Sequence, residues 1–127
     1  MEWFYHIAPG IPEELIAQHC TLNNLPALCA SVHAVPEVEV CGQRATIECV
    51  WGVFTATWEP IRNGVRYALV TCPNALQWTV TTRHGKTTLH LTINDAAPDL
   101  DFVESIGEFM ESFHTRLIAC VAKPGTR

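Results

Sequence analysis

The chain has 127 residues, a length that fits one domain spanning residues 1–127 with enough interior for a real core. Hydrophobic residues make up 48% and charged residues 17%, and the formal net charge is −5; this argues against disorder, which needs low hydrophobicity and high charge. It also argues against nucleic acid as the main partner, because a phosphate-binding surface needs clustered Lys and Arg and the eight basic residues are scattered along the chain.

The amino-terminal stretch Met1-Glu2-Trp3-Phe4-Tyr5-His6-Ile7-Ala8-Pro9 places an acid where a signal peptide carries positive charge, and its short apolar part is broken by Pro9. No run is long enough to span a bilayer. The expectation is a cytoplasmic protein with no membrane partner. The six cysteines, Cys20, Cys29, Cys41, Cys49, Cys72 and Cys120, are then expected as free thiols packed like small hydrophobes. A cross-strand Cys41–Cys49 pair is the one bridge to examine.

In chain order, residues 2–8 are rich in aromatics and suit a short strand. Pro12 suits a helix start, and Glu13 and Glu14 follow where the helix dipole favours negative charge. Leu15, Ile16 and His19 share a face, so a helix is expected over about 12–22, with a second short one over 25–33 capped by Asn24. From Val35 the period changes to two, with Val38 and Val40 alternating with Glu37 and Glu39 before a turn at Gly42-Gln43.

Residues 44–59 form the longest β-like run. Its apolar face switches midway, from Ala45, Ile47, Cys49, Trp51 and Val53 to Val50, Gly52, Phe54, Ala56 and Trp58. A bulge near Gly52 or burial of both faces would account for this. The opposite parity of Trp51 and Trp58 would expose one of them unless a bulge intervenes. Asn63-Gly64 between two β-like runs is a strong hairpin signal. Strands over 65–72, 75–83 and beyond the turn at His84-Gly85-Lys86 follow. Leu76, Trp78, Val80, Leu89, Leu91 and Ile93 face inward; Thr79, Thr81, Thr88, His90 and Thr92 face outward.

The last helix opens at Ala97-Pro98-Asp99. Val103, Ile106, Met110, Phe113 and Leu117 form its apolar stripe, Phe102, Phe109 and Ile118 widen it, and Lys123 with Pro124-Gly125 ends it. The fold class that results is α+β. It is an antiparallel meander of about five to six strands packed on a long C-terminal amphipathic helix, with one or two short N-terminal helices.

Chemistry-bearing constellations are sparse. Cys20, Cys29 and His33, with His19 alongside, concentrate soft ligands, but the Cys-x8-Cys-x3-His spacing fits no usual zinc site. Glu37, Glu39 and Glu48 read as a charged edge strand. Gly85-Lys86-Thr87-Thr88 resembles the end of a phosphate loop but sits in a hairpin and lacks the first glycine. No catalytic residue, cofactor site or metal site is singled out.

The element order resembles a shortened helix-grip arrangement, which implies a ligand cavity between the last helix and a curved sheet. Size, acidity and the amphipathic last helix also resemble the small acidic secretion chaperones of bacteria. Those chaperones place a helix between strands three and four, where only Pro73-Asn74 stands here. Two functional readings follow. The first is a non-catalytic protein-interaction module, adaptor- or chaperone-like, partnering another protein or itself as a homodimer through the sheet face or through the helix flank of Phe102, Phe109 and Ile118. The second is a domain for a small apolar ligand, lined by Leu76, Trp78, Val80, Leu89, Leu91, Phe109 and Phe113.

Overall fold

The structure, a computed structural model, describes residues 1–122. The elements run β1 (Glu2–Ile7), α1 (Glu13–His19), α2 (Leu25–Leu28), β2 (Val32–Val38), β3 (Arg44–Cys49), β4 (Gly52–Ile61), β5 (Gly64–Leu69), β6 (Gln77–Arg83), β7 (Lys86–Thr92) and α3 (Leu100–Ala122). All strands join one antiparallel sheet in the order β1-β7-β6-β5-β4-β3-β2. The chain therefore meanders from β2 to β7, and β1 closes the edge beside β7 with Phe4 opposite His90.

Among the described residues the sheet has seven strands, one more than the upper expectation, because the long run over 44–59 is two strands. Cys49 pairs with Gly52 across a tight hairpin whose tip is Val50-Trp51, and Gly52 takes φ +126°, a conformation open to glycine. Residues paired across an antiparallel ladder point to the same face. Cys49 and Gly52 thus share the inner face, and Phe54, Ala56 and Trp58 continue it. A hairpin, and no bulge, is what changes the parity. Trp58 is half-buried on the inner face, while Trp51 leaves the sheet at the turn and folds onto α3.

The second helix is shorter than expected. Cys29 is already extended, and Val32 pairs with Cys49. Ladder bonding to β3 draws residues 32–34 into the sheet against their local helical pattern, so His33 lies exposed on an edge strand. Asn24 stands at the N-cap of α2, but its side-chain amide donates to the His19 carbonyl at 2.7 Å and so closes α1 instead.

Asn63, with φ 69°, makes the left-handed residue of the β4–β5 turn. Gly64 serves a different need. A Cβ there would stand 1.8 Å from the Val80 carbonyl oxygen on β6, so only glycine lets β5 and β6 approach. No helix intervenes between β5 and β6, which departs from the secretion-chaperone pattern and agrees with the helix-grip one.

The inner face packs on α1, α2 and α3. Ile106, Phe109, Met110, Phe113 and Leu117 of α3 are buried, in one core with Val65, Tyr67, Trp78, Val80, Leu89 and Leu91. The expected helix stop at Lys123 and Pro124-Gly125 lies outside the described residues. No described helix is long and apolar enough to cross a membrane.

Candidate functional site

The seven residues expected to line a ligand site converge. Leu76, Trp78, Val80, Leu89, Leu91, Phe109 and Phe113 all lie between α3 and the inner face of β6 and β7, each at most 1% exposed. Alternation along the strands and the helical repeat on α3 point them at one another. They form an aromatic layer that fills this space. Trp78 stacks on Tyr67 of β5 with ring centroids 4.8 Å apart, and meets Phe109 edge-on at 4.9 Å and Phe113 at 6.3 Å. Tyr67 is absent from the residues expected here, although its place two residues after Val65 marks it as an inner-face neighbour.

Polar groups at the border of this layer are satisfied in all but one case. Tyr67 donates its hydroxyl to the Thr21 carbonyl at 3.1 Å, and Trp58 donates its indole N–H to the Cys20 carbonyl at 2.7 Å. Trp51 donates to Ser105 Oγ at 2.8 Å. The Trp78 indole Nε1 is buried and has no partner among the described residues. Such an orphan donor costs roughly 1–3 kcal/mol relative to a paired one, and an N–H facing a ring recovers only part of that.

One end of the layer has an apolar rim. Trp51 packs against Phe102 at 5.8 Å and Phe109 at 5.4 Å between ring centroids. At the same end of the sheet and helix lie Val50 on the β3–β4 turn, Val70 after β5 and Leu100 at the start of α3, exposed at 49%, 50% and 69%. At the other end of α3, Ile118 and Val121 line an apolar groove of about 360 Å³ with Ile7, Ile11 and Leu15.

The three residues expected at an interface are not brought together on one surface. Phe109 is in the core at 1% exposure, Phe102 is half-buried beneath Trp51, and Ile118 lies at the far end of the helix with 39% exposed. A stripe too wide for one sheet face is accounted for by Trp51, which leaves the sheet to cover Phe102 and Phe109.

The six cysteines are free. Cys41 is exposed in the β2–β3 loop and Cys49 is buried at the opposite end of β3, so the pair considered for a bridge is separated by the length of a strand. Among the described residues no three His, Cys, Asp or Glu side chains gather as a metal-binding group. The Cys29 thiol donates to the Phe109 carbonyl at 3.4 Å, and Glu39 pairs with Arg44 at 3.6 Å.

Burial pushes the Cys20 thiol up to about 12, with the nearby Cys120 adding to the effect, and lifts Cys29 and Cys49 in the same direction. None of these three supplies a thiolate at neutral pH, so none serves as an activated nucleophile. Burial likewise holds the Tyr67 hydroxyl well above its ordinary value, with Cys20 a smaller contribution.

The Cys20 shift carries a stability consequence. A thiol that titrates near 9 when unfolded and near 12 when folded keeps its proton in the native state after the unfolded state has lost it. The associated stability is complete below pH 9 and falls as pH rises toward 12, by at most about 1.4 kcal/mol per pH unit. Urea unfolding at pH 8 and pH 10 is therefore expected to show a lower midpoint at pH 10, with the drop reduced in Cys20→Ala. An equal drop in both proteins would assign the alkaline sensitivity elsewhere.

No family model matches the chain, and no curated protein matches it in sequence. Solved structures match it in fold. An uncharacterized protein from Bacillus thuringiensis is 12% identical, with a TM-score of 0.61 over 93% of this chain and 99% of its own. A START superfamily protein from Mycobacterium smegmatis is 12% identical with a TM-score of 0.61, covering 96% of both chains. The di-domain ARO/CYC BexL from the BE-7585A biosynthetic pathway is 15% identical with a TM-score of 0.61, matching 98% of this chain and 48% of the longer protein. At these identities the likeness is one of architecture: the seven-stranded meander gripped by its C-terminal helix is a START-like helix-grip fold.

Proposed function

We propose that this chain is a small-ligand-binding domain. It takes a mainly apolar, ring-bearing molecule between α3 and the inner face of β5, β6 and β7, where binding requires the side chains that fill this space to part. The observation that carries the reading is Trp78, whose fully buried indole N–H has no acceptor among the described residues. The surrounding rings of Tyr67, Phe109 and Phe113 offer faces and edges to an aromatic ligand. An acceptor oxygen on that ligand would complete the one polar group the layer leaves open. Fold likeness to a START superfamily protein and to an ARO/CYC protein supports this reading over the interaction module, and the burial of Phe109 removes one of the three residues that module would present. Trp51 and Phe102, packed on each other at one end of this space, form the mouth that admits the ligand.

A matched pair of probes tests it. The ketone 9-fluorenone and the hydrocarbon fluorene share a tricyclic frame and differ in one acceptor oxygen. Titration followed by NMR is expected to shift the Trp78 indole resonance with 9-fluorenone, assigned by its loss in Trp78→Phe. Fluorene is expected to bind about tenfold more weakly, the worth of one buried hydrogen bond. Binding of neither compound would sink the reading, and equal binding of both would remove Trp78 from it.

A further inference from the structure

The sequence scatters its basic residues, but the fold does not. Residues 60–94 contain Arg62, Arg66, Arg83 and Lys86 and no Asp or Glu, in a chain of net charge −5. Arg66 is paired with Glu59 at 2.6 Å. The ion pairs among the described residues include none made by Arg62, Arg83 or Lys86.

These three cations lie at one end of the sheet, opposite the apolar mouth, with Arg83 between Arg62 and Lys86. The β4–β5 and β6–β7 hairpins lie side by side, tied by the Thr82 N–H donating to the Asn63 carbonyl at 2.9 Å. His84 and Gly85, with φ 52° and 75°, form the β6–β7 turn, which sets Arg83 directly opposite Lys86 in the ladder. Like charges placed opposite one another destabilise a hairpin, and no carboxylate among the described residues pairs with either. Arg83 and His84 form the shared wall of two polar grooves. One, of about 570 Å³, is completed by Thr81, Lys86 and Thr88; the other, of about 460 Å³, by Arg62, Asn63 and Thr82.

We propose that this double-hairpin end is a binding site for a small multivalent oxyanion of the phosphate or diphosphate class. Arg83 and Lys86 hold the anion from both strands of the hairpin with the hydroxyls of Thr81 and Thr88 beside them, and Arg62 and Asn63 line the adjoining groove on the other side of Arg83. Guanidinium groups suit phosphate oxygens by bidentate donation. Both grooves are concave, and each is lined by polar and charged residues alone. A membrane surface would call for apolar side chains at the tips to enter the lipid, so a discrete anion fits better than a lipid bilayer. The site is independent of the ligand space between α3 and the sheet.

The test is an NMR titration of the protein with sodium pyrophosphate at low salt, alongside sedimentation with phosphatidylglycerol vesicles. Saturable shifts confined to residues 62–63 and 81–88 are expected, weakened about tenfold or more in Arg83→Gln, the loss for one charge-assisted contact. The affinity should be unchanged within about twofold in Arg116→Gln, which removes the same charge from α3, where Arg116 donates to the Pro26 carbonyl and lines neither groove. Shifts that never saturate, or an equal loss in both variants, would overturn the site as mere charge attraction. Sedimentation with vesicles without a saturable pyrophosphate response would overturn it in favour of a membrane surface. Because both substitutions are at exposed positions, the folded spectrum serves as the control for each.

Discussion

Replacing Gly64 with alanine is expected to destabilise the protein by about 4 kcal/mol or more, or to prevent folding. The added Cβ would lie 1.8 Å from the Val80 carbonyl oxygen, 2.8 Å from its carbonyl carbon and 2.9 Å from the Thr81 Cα. All three are backbone atoms, so no side-chain rotation relieves the clash. The sheet must part between β5 and β6, near its centre. That separation would break the pairing of Gly64 with Thr81 and of Val65 with Val80, and would open a part of the core where Val65 and Val80 are at most 1% exposed. Gly107 is the natural control. It lies within α3, where an added Cβ would meet nothing within 4 Å, and Gly107→Ala is expected to stabilise by about 0.5–1 kcal/mol through helix propensity. Urea unfolding followed by tryptophan fluorescence measures both. A Gly64→Ala protein within about 1 kcal/mol of the wild type would mean that β5 and β6 are further apart than described.

The second large effect is expected at Phe109, where substitution by alanine should cost about 3–5 kcal/mol. Its ring contacts Trp51, Trp78 and Phe113 at centroid distances of 5.4, 4.9 and 6.2 Å, so its removal unsupports both the mouth and the centre of the aromatic layer. The neighbours are large rings fixed by the sheet and by α3, which limits how far they can collapse into the space. An apolar hole of this kind admits a small aromatic molecule. Benzene is therefore expected to raise the unfolding midpoint of Phe109→Ala and to leave that of the wild type almost unchanged. A loss below about 1 kcal/mol would show that the layer is already loose around Phe109, a state in which the proposed ligand enters without displacing the ring.

The two experiments separate what local pattern reveals from what it hides. Alternation along residues 76–93 assigns Trp78, Val80, Leu89 and Leu91 to the dry face, and the three- and four-residue repeat along α3 sets Phe109 and Phe113 opposite them; the structure buries all six. Side-chain direction in strands and helices is set by the backbone period, so one face implies its partner. The Asn63-Gly64 hairpin is equally legible. The reason for its glycine is not, because that reason is Val80 on another strand. The switch of apolar parity near Gly52 is visible as a fact, yet a bulge and a hairpin leave the same mark on a linear sequence. Only the pairing of Cys49 with Gly52 distinguishes them.

Residues a few positions apart are enough to establish the fold class, the inner and outer faces of the later strands and the side of α3 that meets them, because backbone period carries each of these. Three features of the molecule have no such local origin. They are the placement of β1 beside β7, the Trp78 indole left without an acceptor among the described residues, and the placement of Arg62, Arg83 and Lys86 at one end of the sheet. Each depends on which strands become neighbours. That is settled by the burial of the whole inner face and the closure of every ladder at once, a condition no single segment contains.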